Sequence, residues 1–179
     1  MRSQSAKVGL ATGVLVTSLI GPAIAQNAPA PLRGKSIIVS WTENRLQRRE
    51  GGGEFRPRAV PNMLQVYVSS EGRTFERRNV PGASKEGVGG GAIAGRAGST
   101  RFQGNSLVVA GATRSGARMV MISFESGFSS CSVHVQVGHE AGTNIVKGTA
   151  MGSRQPIEFT MQGISGESCT IQSGNVFAQ

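Results

Sequence analysis

From Ser130 the chain alternates with a period of two: Cys131, Val133, Val135 and Val137 fall on one side, and Ser132, His134 and Gln136 on the other. Successive side chains of a strand point to opposite faces, so this run predicts a strand with one face in a core and the other in water. Shorter runs of the same kind recur at 36–42, 64–69, 73–77, 106–111, 117–125, 143–147, 157–162 and 168–172, separated by turn residues. The Ser70-Glu71-Gly72 break predicts a hairpin, and Gly104-Asn105 offers another. Helical periodicity is weak throughout. Its best segment, 42–50, would present little beyond Leu46 on its apolar face and reads equally well as an extension of the first strand.

Two segments break the alternation. Glu50-Gly51-Gly52-Gly53-Glu54 with Phe55-Arg56-Pro57-Arg58 reads as a polar connection between strands. The stretch 81–98 has seven Gly in eighteen residues and reads as a flexible loop. It lacks the Gly-Lys-Ser/Thr ending and the following helix that a phosphate-binding loop needs.

Many short strands, 26 Gly and little helix predict an all-β fold, a single-domain antiparallel sandwich or barrel. Trp41, the only Trp, is in phase with Ile37 and Val39 and is expected in the core. The same phase argument turns Cys131 inward with Val133 and Cys169 inward with Ile171. A disulfide between these two is expected, across neighbouring strands or across two sheets.

The redox environment comes from the N-terminus. Arg2 and Lys7 precede a 17-residue uncharged stretch, Val8 to Ile24, which ends in Ala23-Ile24-Ala25. A basic start, an apolar middle and a small-x-small end predict a signal peptide over 1–25, leaving 26–179 as one exported β domain. A bacterial periplasm or the extracellular space would then oxidise the two cysteines. No later segment approaches the roughly 20 apolar residues of a spanning helix.

Charge adds the one unusual feature. Between Gln26 and Arg118 there are 15 Lys or Arg against 6 Glu, a balance of +9, whereas the remainder has 2 against 4, a balance of −2. All ten acidic residues are Glu, so mechanisms that require Asp are excluded. Arg dominates the basic residues, and its planar fork suits carboxylates, phosphates and sulfates. Arg45, Arg48 and Arg49, with Arg73 and Arg77, are the candidate anion-binding residues; Phe75 stands between the last two. A solvated strand face that resists edge pairing is the plainer reading of the same charges.

Catalytic chemistry finds little to stand on. His134, His139 and Glu140 have poor spacing for a metal, and no Gly-x-Ser-x-Gly elbow is present. No catalytic residue, metal ligand or cofactor is assigned. The sequence therefore points to a small non-enzymatic exported β-protein that binds anionic polysaccharide, lipid headgroups or an acidic protein. Nucleic acid fits less well, because aromatic stacking residues are few. An accessory subunit of an envelope assembly and a small exported hydrolase are the alternatives.

Overall fold

A computed structural model describes residues 28–79, 93–94, 100–113, 116–138, 144–150 and 155–178. The expected signal peptide, most of the glycine-rich loop, His139 and Glu140 lie outside these residues. After a short 3-10 turn at Ala30–Leu32, the strands are β1 (Lys35–Arg49), β2 (Gly52–Val68), β3 (Thr74–Asn79), β4 (Ile93–Ala94) and β5 (Thr100–Gln103). They continue with β6 (Ser106–Thr113), β7 (Gly116–Phe124), β8 (Cys131–Val137), β9 (Val146–Thr149) and β10 (Pro156–Ser173). Among the described residues no helix is long and apolar enough to cross a membrane.

The strands form two antiparallel sheets. One has the order β4-β3-β2-β1-β10-β9 and the other β5-β6-β7-β8. In the first sheet, Ile37 pairs with Val66 and Ile171, and Val39 with Leu64 and Cys169, so these apolar residues share the inner face. Leu107, Val109, Val120, Ile122, Phe124 and Val135 come from the second sheet and complete the same buried cluster. Each sheet is hydrophobic on one face only, and packing those faces together removes both from water. The architecture is thus a sandwich, and Trp41, 2% exposed, belongs to its core as its phase predicts.

The expected disulfide is formed, and it joins the sheets. Cys131 on β8 bridges to Cys169 on β10 across 38 residues of chain. Beside it, the Glu167 carboxylate on β10 accepts the backbone N–H of Val135, which gives the edge strand β8 a partner for a free ladder group. On the opposite flank, the Thr100 hydroxyl donates to Glu76 Oε2 at 2.8 Å.

Two expectations need correction. First, the region expected to be a polar connection is mostly strand. β2 begins at Gly52, and Arg56, Pro57 and Arg58 pair with Gln47, Leu46 and Arg45 of β1. Among the described residues β3 pairs only with Met63–Val68, and there this part of β2 has a strand neighbour on one side. Proline is tolerated in a strand where it takes no bond from the ladder, as along a side without a strand partner. The turn itself is confined to Glu50 and Gly51, and Gly51 supplies the positive φ of 78°.

Second, the runs 157–162 and 168–172 are one strand, β10. Its register against β1 shifts between Ser40 and Thr42 and again between Asn44 and Arg45. The extra residue at the first shift is accommodated by Gly166, at φ 64°. Each bulge reverses which side chains face inward, so Ile171 and Cys169 face inward, then Ile164, then Met161, Phe159 and Ile157. Of the two readings of 42–50, the strand extension holds: residues 42–49 continue β1, with no helical turn.

The outcome is a long β1–β2 arm, backed by β10, that reaches past the main core. It carries a smaller cluster of Val146, Ile157, Phe159 and Met161, against which Val137 and Ala150 pack. Between the two clusters lies a buried charge.

Candidate functional site

Glu43 follows Ile37, Val39 and Trp41 on the inner face of β1 and is 1% exposed. Its carboxylate is held by two guanidinium groups, Arg45 from its own strand and Arg118 from β7 across the sandwich. Both cations rest on aromatic rings: Arg45 lies 4.2 Å from the centre of Phe159, and Arg118 lies 5.4 Å from that of Trp41. A carboxylate enters a core only when it is paired and hydrogen-bonded, and here two cations share that task. This Arg45–Glu43–Arg118 group closes the main core where the arm begins. The sequence carried a signal for it: Glu43 occupies a position where the alternation demands an apolar residue, and Arg118 does the same ahead of Val120 and Ile122.

Arg48 points to the other face of the arm. Its Nε donates to Glu158 Oε2 at 2.8 Å, Glu158 is buried, and the guanidinium stacks 4.4 Å from Phe55. Close by, Lys147 donates to Glu50 at 2.8 Å, and that carboxylate raises the lysine pKa above its usual value. Arg49 is exposed at the end of the arm. Arg73 is exposed beside Phe75, at 5.8 Å, and Arg77 is half-buried over Phe177, at 4.7 Å.

The five candidate arginines do not share one patch. Arg77 pairs with Gln65, which pairs with Ile38, whereas Arg45 lies seven residues further along β1. At about 3.3 Å per residue that is about 23 Å, and Arg49 is about 36 Å away. Arg45 and Arg48 are also on opposite faces and already tied to carboxylates.

Other cations are left uncompensated. Arg56 and Arg58 on β2 are exposed, and among the described residues no carboxylate pairs with either of them or with Arg49. Sequence reading groups both with Arg45, Arg48 and Arg49 as one basic cluster, in what reads as a connection, and does not name them among the candidate anion-binding residues. At the other end of β1, Arg33, Lys35 and Arg73 likewise make no ion pair among the described residues. Glu71, nearby, is held at a pKa of about 2 by hydrogen bonds from Ser70 and then Ser69, with Arg73 a smaller influence.

A trough of about 220 Å³ opens on the inner face of the arm, lined by Arg45, Gln47, Arg58, Ala59, Val60, Pro61, Thr149, Ala150 and Ile157. Its head is basic, its floor is apolar, and no carboxylate lines it among the described residues. His134 is far from this region in character: exposed on β8, with Nδ1 3.8 Å from Glu167.

These features define a disulfide-linked two-sheet β-sandwich with a basic arm. No protein-family model, curated protein sequence or solved structure matches the chain.

Proposed function

We propose that the protein is a non-enzymatic exported binding protein whose basic strip, running along β1 and β2, takes up an extended acidic polymer of the cell envelope. The observation that carries this reading is the distribution of uncompensated charge. Arg33 and Lys35 at one end of the first sheet, and Arg49, Arg56 and Arg58 at the other, have no carboxylate partner among the described residues, and Arg73 makes no ion pair there, with Glu71 its nearby counter-charge. The ends of β1 are fourteen residues apart, or about 45 Å. Cations strung over that length suit a chain of anions better than a compact one, and they raise the local potential that draws a polyanion in. The oxidised cysteine pair is compatible with export.

The test is retention on immobilised heparin and on immobilised alginate across a salt gradient. Replacing Arg49, Arg56 and Arg58 together with Gln should move elution to clearly lower salt and leave the melting temperature nearly unchanged. Lys147→Gln is the control, because that lysine is already paired with Glu50. A Lys147→Gln loss of about one third of the triple variant's, equal per charge removed, would mean that net charge alone is being read, and retention that ignores salt would remove the electrostatic basis of the proposal.

A further inference from the structure

We infer that the trough on the inner face of the arm is a binding site for a small organic oxyanion, a carboxylate or phosphate carried on a compact apolar body such as one aromatic ring. This site is distinct from the polymer-binding strip but rests on the anion-binding reading in so far as Arg58 is shared.

Two observations at the head of the trough call for an anion. Arg45 and Arg58 are directly opposite each other in the β1–β2 register. Like charges placed so are unfavourable, at Cα separations of about 5 Å. The carboxylate that could offset them, Glu43, is taken up by Arg45 and Arg118. Arg45 is held by Glu43 through its Nη2, so Arg58 is the member of the pair that stays exposed and makes no ion pair among the described residues. An oxyanion at the trough would offset the exposed Arg58 charge and ease its repulsion with Arg45.

The remainder of the trough decides what the anion is attached to. Val60 and Ile157 are buried apolar residues, and Ala59, Pro61 and Ala150 extend the same surface. The volume of about 220 Å³ exceeds the roughly 150 Å³ that accommodates benzene in an apolar cavity. It is below the roughly 300 Å³ at which drug-sized pockets begin. The fit is therefore to an acid of about one ring. Gln47 and Thr149 at the rim add neutral hydrogen-bonding groups.

The experiment titrates the oxidised chain with phenyl phosphate, benzoate and inorganic phosphate, followed by backbone amide shifts in NMR. Phenyl phosphate should shift Val60, Ala150 and Ile157 in a saturable way, and inorganic phosphate should bind at least about tenfold more weakly. Arg58→Gln should weaken phenyl phosphate about tenfold, the scale of one charge-assisted hydrogen bond. Ala150→Trp should fill the trough and abolish binding while heparin retention persists. Should the Trp variant fail to fold, Arg58→Gln, at an exposed position, still decides the matter. Equal binding of phenyl phosphate and inorganic phosphate, or unchanged binding in Arg58→Gln, would overturn the inference. Heparin retention with no phenyl phosphate binding would leave the strip standing and remove the trough. The reverse pattern would keep the trough and remove the strip.

Discussion

Replacing Glu43 with Gln removes one charge from the centre of the fold and almost no volume. In the native chain that carboxylate is 1% exposed, and its two partners, Arg45 and Arg118, have side chains only 13% and 11% exposed. The amide can still accept a hydrogen bond, but it cannot balance two guanidinium charges held out of water. Removing one partner of a buried pair costs about 3–5 kcal/mol. The low end applies here, because the cations keep their stacking on Phe159 and Trp41, worth about 0.5–2 kcal/mol each. A loss of about 3 kcal/mol is expected, which for a domain of this size lowers the melting temperature by about 6–12 °C. Urea unfolding of the oxidised chain, followed by Trp41 fluorescence, measures it directly. The triple variant Arg45→Met, Glu43→Leu, Arg118→Met supplies the contrast: with all three charges gone, stability should return to near that of the native chain or exceed it. If E43Q loses less than about 1 kcal/mol, the carboxylate is not compensating buried charge and the reasoning fails.

Two further predictions concern other parts of the fold. Cys131→Ser or Cys169→Ser should lower stability by about 2–4 kcal/mol, since the bridge closes a loop of 38 residues. The intact protein should show a mass two hydrogens below its reduced form, and alkylatable thiols in the native protein would contradict the pairing. Glu71 should titrate near pH 2 by carboxyl NMR, and Ser70→Ala should move it up toward the ordinary 4.5. Its folded pKa lies below the unfolded one, so whatever stability it contributes is full above pH 4.5 and is lost as pH falls toward 2. A midpoint that stays near 2 in Ser70→Ala would show that the hydroxyl is not the cause.

Much of the sandwich was legible because period-two alternation is a direct record of which side chains face the core. It placed Val133 and Val135, Ile37 and Val39, and both cysteines correctly relative to one another. It failed where the physics departs from regular pleating. The bulges of β10 reverse its phase at Gly166 and near Gly163, so one strand reads as two. The outer half of β2, with Arg56, Pro57 and Arg58, has no apolar alternation, because its strand state is imposed by pairing with β1 rather than by burial. Short β5 was passed over for want of length, although Thr100 and Phe102 alternate inward. For the site, the sequence revealed the excess of Arg but not its distribution. Which arginines are free depends on where Glu43 and Glu158 lie in the folded sheet, and that is a long-range property of the β1–β10 register.

That register also separates two roles for arginine that composition merges. Arg45 and Arg118 on the inner face and Arg48 on the opposite face are compensated within the fold: each is paired with a buried glutamate and stacked on a ring, Phe159, Trp41 and Phe55 respectively. Arg49, Arg56 and Arg58 extend outward from the same arm without partners. Because Arg58 stands opposite Arg45, the two sets meet at one cross-strand position, and Glu43 sits beneath it. The charge that stabilises the junction of core and arm therefore also fixes the orientation of one wall of the trough. Loss of binding in an Arg45 variant would mix a lost contact with a loosened arm. Arg58 is the position at which binding is separable from stability, because it shares Arg45's surroundings and none of its buried partners.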